Sequence, residues 1–140
     1  MEESATFYLD ANVFVYAIVN SEGIGNKSRV ILDLVTSEKI KGVTSCLTFD
    51  EILWAIRKIK QEVTFEAGAN LLNSKVKFVE ANKLILFHAL DVIKEYNLKP
   101  RDAIHAATMK VHNIKNLISE DTDFDKIEWI KMKNIMEFKI

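Results

Sequence analysis

The chain has few of the residues that interrupt or cross-link a fold: its 140 residues include four glycines, one proline and one cysteine. So little glycine and proline leaves no room for a flexible linker or a low-complexity tail. A lone cysteine, Cys46, cannot form an internal disulfide, and the expectation is that it packs as a small hydrophobe in a reducing cytoplasm. No apolar run approaches the length of a membrane span. The opening MEESATFYLD is acidic where a secretory leader is basic. There is no internal repeat and no block of like charge. These absences predict a soluble, cytoplasmic protein with no membrane partner.

What is present is a core. With 49% apolar residues in 16.0 kDa, the chain can fill one domain over residues 1–140 and is too short for two ordinary ones. The net charge of −1 argues neither for nor against a nucleic-acid partner. If five of the 20 acids are set aside as one metal site, 15 remain against 19 basic groups, an excess that suits a polyanionic substrate.

Periodicity predicts alternating strands and helices. Phe7, Tyr8 and Leu9 form a buried apolar run, and Val13, Phe14, Tyr16, Ala17 and Ile18 follow at helical spacing. NKSRVILDLVTSEK is a second helix, GVTSC a short β-branched strand, and LTFDEILWAIRKIKQ a third helix. FEAGANLLN is a short helix, KVKFVEA a strand, KLILFHALDVIKEY a longer helix, and KPRDAIHAATMKVH a helix with Pro100 in its first turn. NLISEDTDFD starts as a strand and ends as an acidic turn, and EWIKMK is a last edge strand. This order predicts an α/β protein, a three-layer α/β/α sandwich around a central parallel sheet.

Five acids fall where such a sheet collects ligands. Asp10 ends the first strand, Glu51 lies in the first turn of the third helix, and Asp102 lies in the first turn opened by Pro100. Asp121 and Asp123 follow the strand containing Leu117 and Ile118. Clustered carboxylates need a proton or a cation to neutralise them. Oxygen donors without histidine or cysteine favour Mg²⁺ or Mn²⁺ over zinc. A pair of such ions about 4 Å apart can hydrolyse a phosphodiester.

Each acid also has a plainer reading. Asp10 could simply cap the following helix, and Thr48-Phe-Asp-Glu51 has the form of a capping box. DTDFD could open a calcium loop, but the sixth and twelfth positions are Lys126 and Met132 where glycine and glutamate are needed. His105, three residues after Asp102, is expected to be a satisfied structural histidine. Arg101, His88 and His112 are assigned no chemistry. A haloacid-dehalogenase site fails because Asn12 stands where its second aspartate belongs, and nothing pairs Cys46 with a histidine.

The motifs YLDANVFVY, SCLTFDEIL, KPRDAIHAATM and LISEDTDF, in this order along nearly the whole chain, resemble the PIN domain, and within it the VapC-type ribonuclease toxins of type II toxin–antitoxin pairs. The resemblance implies a PIN-like α/β/α fold and an endoribonuclease that uses Mg²⁺ or Mn²⁺. It carries the four acidic positions onto Asp10, Glu51, Asp102 and Asp121, with Asp123 assisting and Asn12 at a polar position near the first acid. Ser119 stands where many members have threonine, and Glu120 adds an acid where members vary. The partners implied are RNA, a cognate antitoxin and a second copy of the chain. The homodimer is expected to use apolar residues of the first and third helices, among Phe14, Tyr16, Leu53, Trp54 and Ile56. The alternatives are a PIN nuclease of RNA processing without an antitoxin, and an inactive binding module.

Overall fold

A computed structural model describes residues 4–139; the first three residues of the acidic opening lie outside it. β1 (Thr6–Leu9) is an apolar strand with Phe7, Tyr8 and Leu9 all buried, as expected at the centre of a sheet covered on both faces. α1 (Ala11–Val19) follows without a loop and ends at Asn20. The Asn20 side chain accepts hydrogen bonds from the backbone of Glu22 and Gly25, starting α2 (Gly23–Thr36). A Cβ on Gly25 would lie 1.9 Å from the Asn20 carbonyl oxygen, so only glycine permits this approach. The helix begins three residues before the one expected from NKSRV, because Gly25 serves the close approach to Asn20 and does not break the helix.

β2 (Lys41–Ser45) runs straight into α3 (Cys46–Lys60). Ser45 is the N-cap, accepting from Leu47 N at 3.0 Å, and Thr48 closes the box by accepting from Ser45 N. The capping box therefore lies one turn before the expected Thr48–Glu51 pair, and Glu51 is in the second turn of α3, not the first. Because the helix starts immediately, Cys46 occupies its first position and is exposed, contrary to the expectation that it packs inside. α4 (Thr64–Leu72) leads to β3 (Lys77–Val79). α5 (Lys83–Tyr96) is capped by Asn82 and stopped by Asn97 in the left-handed conformation. α6 (Pro100–Val111) carries Asp102 in its first turn. β4 (Asn116–Ile118), a 3₁₀ turn (Thr122–Lys126) and β5 (Lys131–Lys133) complete the described chain.

The five strands make one parallel sheet in the order β3-β2-β1-β4-β5. Alternate strand residues feed two cores. Tyr8, Val43, Val79 and Leu117 pack with α5 and α6, while Phe7, Leu9 and Ile118 pack with α1, α2, α3 and α4. The result is the expected three-layer α/β/α sandwich. Ala103, Ala106 and Ala107 are fully buried and let α6 lie close on the sheet.

Two of the five residues expected to supply a subunit interface are not at the surface. Phe14 and Ile56 are fully buried beneath the sheet, because they fall on the inner faces of α1 and α3. Trp54 is 54% exposed. The larger exposed apolar group is on α5: Leu84, Leu86, Phe87 and Leu90 are all exposed, and the last three line a groove of about 360 Å³ completed by Ile93, Pro100 and Ile104.

Candidate functional site

Strand order reverses at β1: the chain moves to β2 and β3 on one side and returns through β4 and β5 on the other. The carboxyl ends of β1 and β4 therefore border the crevice in which open α/β sheets hold ligands. Asp10 leaves β1 at that point, its backbone N–H bound to the Ile118 carbonyl at 3.1 Å.

The capping and site readings of Asp10 are compatible, because its two oxygens do different things. Oδ1 accepts from Ala11 N at 2.8 Å and caps α1, while Oδ2 accepts from Ser119 Oγ at 2.6 Å. Burial pushes the Asp10 carboxyl above its usual range, against the pull of His105 and these hydrogen bonds. Ser119 Oγ also accepts from Asp121 N at 3.0 Å, so one hydroxyl couples β1 to the acidic turn. In sequence Ser119 is only a conservative replacement; nothing in its neighbours shows this double role.

Asp121 caps the 3₁₀ turn, its Oδ1 accepting from Asp123 N at 2.9 Å. The turn brings Asp121 and Asp123 to the start of α6. One carboxylate oxygen from each of Asp102, Asp121 and Asp123 lies within 4.8 Å of the others. The group is under charge stress: desolvation first, then Asp121, Asp10 and Asp123, raise the Asp102 pKa to about 6. Lys99 approaches Asp123 Oδ2 at 3.8 Å, but it is largely exposed and relieves little of this. Three converging oxygens that repel one another fit a hard divalent cation better than zinc.

Glu51 stands apart from that trio. Its Oε1 lies 2.6 Å from His105 Nε2, and His105 Nδ1 lies 2.6 Å from the Tyr8 hydroxyl. His105 is 2% exposed, so the expectation of a satisfied structural histidine holds, with Glu51 and Tyr8 as its partners. Burial disfavours the imidazolium, but Glu51 first, then Asp10 and Asp102, together favour it, and the His105 pKa is raised. Burial likewise pushes the Tyr8 phenol up.

Glu120 does not join the acids; its Oε1 accepts from Ile135 N at 3.2 Å and ties down the segment after β5. Asp50 and Arg101 are exposed. Asn12 keeps a buried Oδ1 without a hydrogen-bond partner.

Comparison with known proteins gives a consistent picture. The PIN domain family model matches residues 7–130. Ribonuclease VapC2 of Methanocaldococcus jannaschii is 21% identical over 96% of this chain and 97% of that protein. Ribonuclease VapC6 of the same organism is 27% identical over 74% of this chain and 66% of its own length. A toxin–antitoxin complex from Klebsiella pneumoniae contains a chain that superposes with a TM-score of 0.66 and 23% identity, covering 91% of this chain and 96% of that one.

Proposed function

The chain belongs to the PIN domain family, and from that premise we propose that it is a Mg²⁺- or Mn²⁺-dependent endoribonuclease of the VapC kind, the toxin of a toxin–antitoxin pair. The observation that carries this reading is the convergence of Asp102, Asp121 and Asp123 within 4.8 Å at the strand-order reversal of the sheet. The relatives named as VapC ribonucleases support the substrate class, and the toxin–antitoxin complex supports the partner. One five-stranded sheet supports reading residues 1–140 as a single PIN domain.

In this reading Asp102, Asp121 and Asp123 hold the cation, and Asp10 and Glu51 complete the ligand set directly or through water. When bound, the ion supplies activation of a water and neutralisation of charge on the scissile phosphodiester. The chain's own residues set up that chemistry. Ser119 keeps Asp10 aimed while Ala11 N–H holds its other oxygen. The backbone N–H of Asp123 does the same for Asp121. No side chain of the set needs to form a covalent bond to substrate.

An antitoxin segment entering this crevice would place a basic side chain among the carboxylates, since a guanidinium can replace the cation's charge. For a second copy of the chain, α5 is a better surface than α1 and α3. A two-fold axis at Phe87 pairing α5 antiparallel sets Leu84 level with Leu90 and Lys83 level with Asp91 of the other copy, so apolar and charged groups both match. A specific interface there would bury on the order of 1,200–2,000 Å² in total.

The decisive experiment is sequencing of RNA ends after brief expression of the wild type and of Asp102→Asn. New, discrete 5′ ends in the wild type alone are expected; identical end profiles would overturn the nuclease reading. Relief of growth arrest by a small protein encoded beside the chain would identify the toxin of a pair.

A further inference from the structure

Three elements that carry acids of the site meet at one imidazole. β1 supplies Tyr8, two residues before Asp10; α3 supplies Glu51; α6 supplies His105, three residues after Asp102. His105 Nδ1 is 2.6 Å from Tyr8 Oη and Nε2 is 2.6 Å from Glu51 Oε1, bridging 97 and 54 residues of sequence. The arrangement is satisfied whatever the charge on the ring. A neutral ring donates from Nε2 to the carboxylate and accepts the Tyr8 O–H at Nδ1; a charged ring donates from both nitrogens.

Glu51 needs such a hold. Its side chain is long and 20% exposed, and the like charge on Asp10 acts on it across the crevice. A free glutamate there would rotate into solvent, away from the other acids and from any shared cation. With Oε1 engaged by His105, the other oxygen has no hydrogen-bond partner among the described residues. Histidine suits the task because its two nitrogens are rigidly opposed, so a contact on the sheet side fixes the direction in which the other is offered.

We propose that His105, braced by Tyr8, is a positioning residue of the metal centre: it clamps the Glu51 carboxylate at the edge of the acidic group, leaving a single oxygen for a cation or its water. The clamp rests on the distances alone, and its consequence for metal rests on the nuclease reading above.

Mn²⁺ binding to the metal-free protein, followed by calorimetry, tests this without reference to cleavage. The variants are His105→Leu, His105→Gln, Tyr8→Phe, Glu51→Gln and the double variant Glu51→Gln with His105→Leu. Loss of a partner that orients a metal ligand weakens affinity by about tenfold or more, and that is expected for His105→Leu. His105→Gln, whose amide can still donate to Glu51, should retain most of the affinity even if His105→Leu fails to fold, and Tyr8→Phe should fall between them. Because His105 acts through Glu51, removing it from the Glu51→Gln protein should cost nothing further. Unchanged Mn²⁺ affinity in His105→Leu, even with a lowered Tm, would reduce His105 to a core residue and overturn the proposal. Tighter binding would do so too, by showing that the ring acts through its charge, and additive losses in the double variant would show that it does not act through Glu51. Absence of Mn²⁺ binding by the wild type would instead overturn the metal-dependent reading itself, and with it the role of Glu51 as a ligand.

Discussion

Ser119 Oγ donates to Asp10 Oδ2 at 2.6 Å across 109 residues of chain, and the same oxygen accepts the Asp121 N–H at 3.0 Å. Ser119→Ala removes a donor from the buried Asp10 carboxylate and an acceptor from the Asp121 N–H. In metal-free buffer at neutral pH this should lower stability by about 1–3 kcal/mol, while Ser119→Thr, which keeps the hydroxyl, should stay close to wild type. Chemical denaturation checks it, and an Ala variant as stable as wild type would show that the hydroxyl does not support Asp10.

The raised Asp102 pKa sets a pH dependence whose sign can be worked out. A carboxyl that titrates at about 6 in the folded chain and at 3.8 when free binds its proton more tightly in the native state. Its contribution to stability is therefore fully present below pH 3.8 and is lost as pH rises through about 6. The group is half-buried, so the effect is damped by solvent. Thermal unfolding in EDTA should show the wild type losing stability over this window and Asp102→Asn losing less; parallel curves would show that Asp102 is not stressed by its neighbours.

Divalent cations should reverse that loss. Saturating Mg²⁺ or Mn²⁺ at 100 times its dissociation constant stabilises by about 2.7 kcal/mol, and neither Asp102→Asn nor Asp10→Asn should gain as much. The same two variants should cleave RNA at least about 100-fold more slowly while remaining folded by circular dichroism. Wild-type cleavage by Asp102→Asn, with Mg²⁺ dependence intact, would place the chemistry elsewhere.

Assembly is tested on two surfaces at once. Light scattering of the wild type at tens of micromolar should give twice the chain mass. Phe87→Asp on α5 should give a monomer with an unchanged circular dichroism spectrum, and Trp54→Glu on α3 should remain a dimer. A monomeric wild type removes the dimer, and the opposite behaviour of the two variants moves the interface to α3.

Much of this was legible in the sequence, for local reasons. An apolar run ended by Asp10, a Pro100 that opens a helix with Asp102 in its first turn, and a strand followed by Asp121 and Asp123 are short-range patterns, and a parallel sheet necessarily brings such ends to one edge. Helix spacing likewise set the buried faces of α5 and α6. What the sequence left open depends on contacts between distant segments. Whether Glu51 caps its helix turned on one turn of register: with Ser45 as the cap, Glu51 is carried to His105. Which acids share one space, and the double role of Ser119, follow from the pairing of Leu9 with Ile118 across the sheet. Phe14 and Trp54 are alike in composition terms, yet one is buried and the other open, because only the packed sheet decides which helix face has a neighbour. Periodicity along one segment can specify that segment's own shape, but a distance between two segments is a property of the folded chain as a whole.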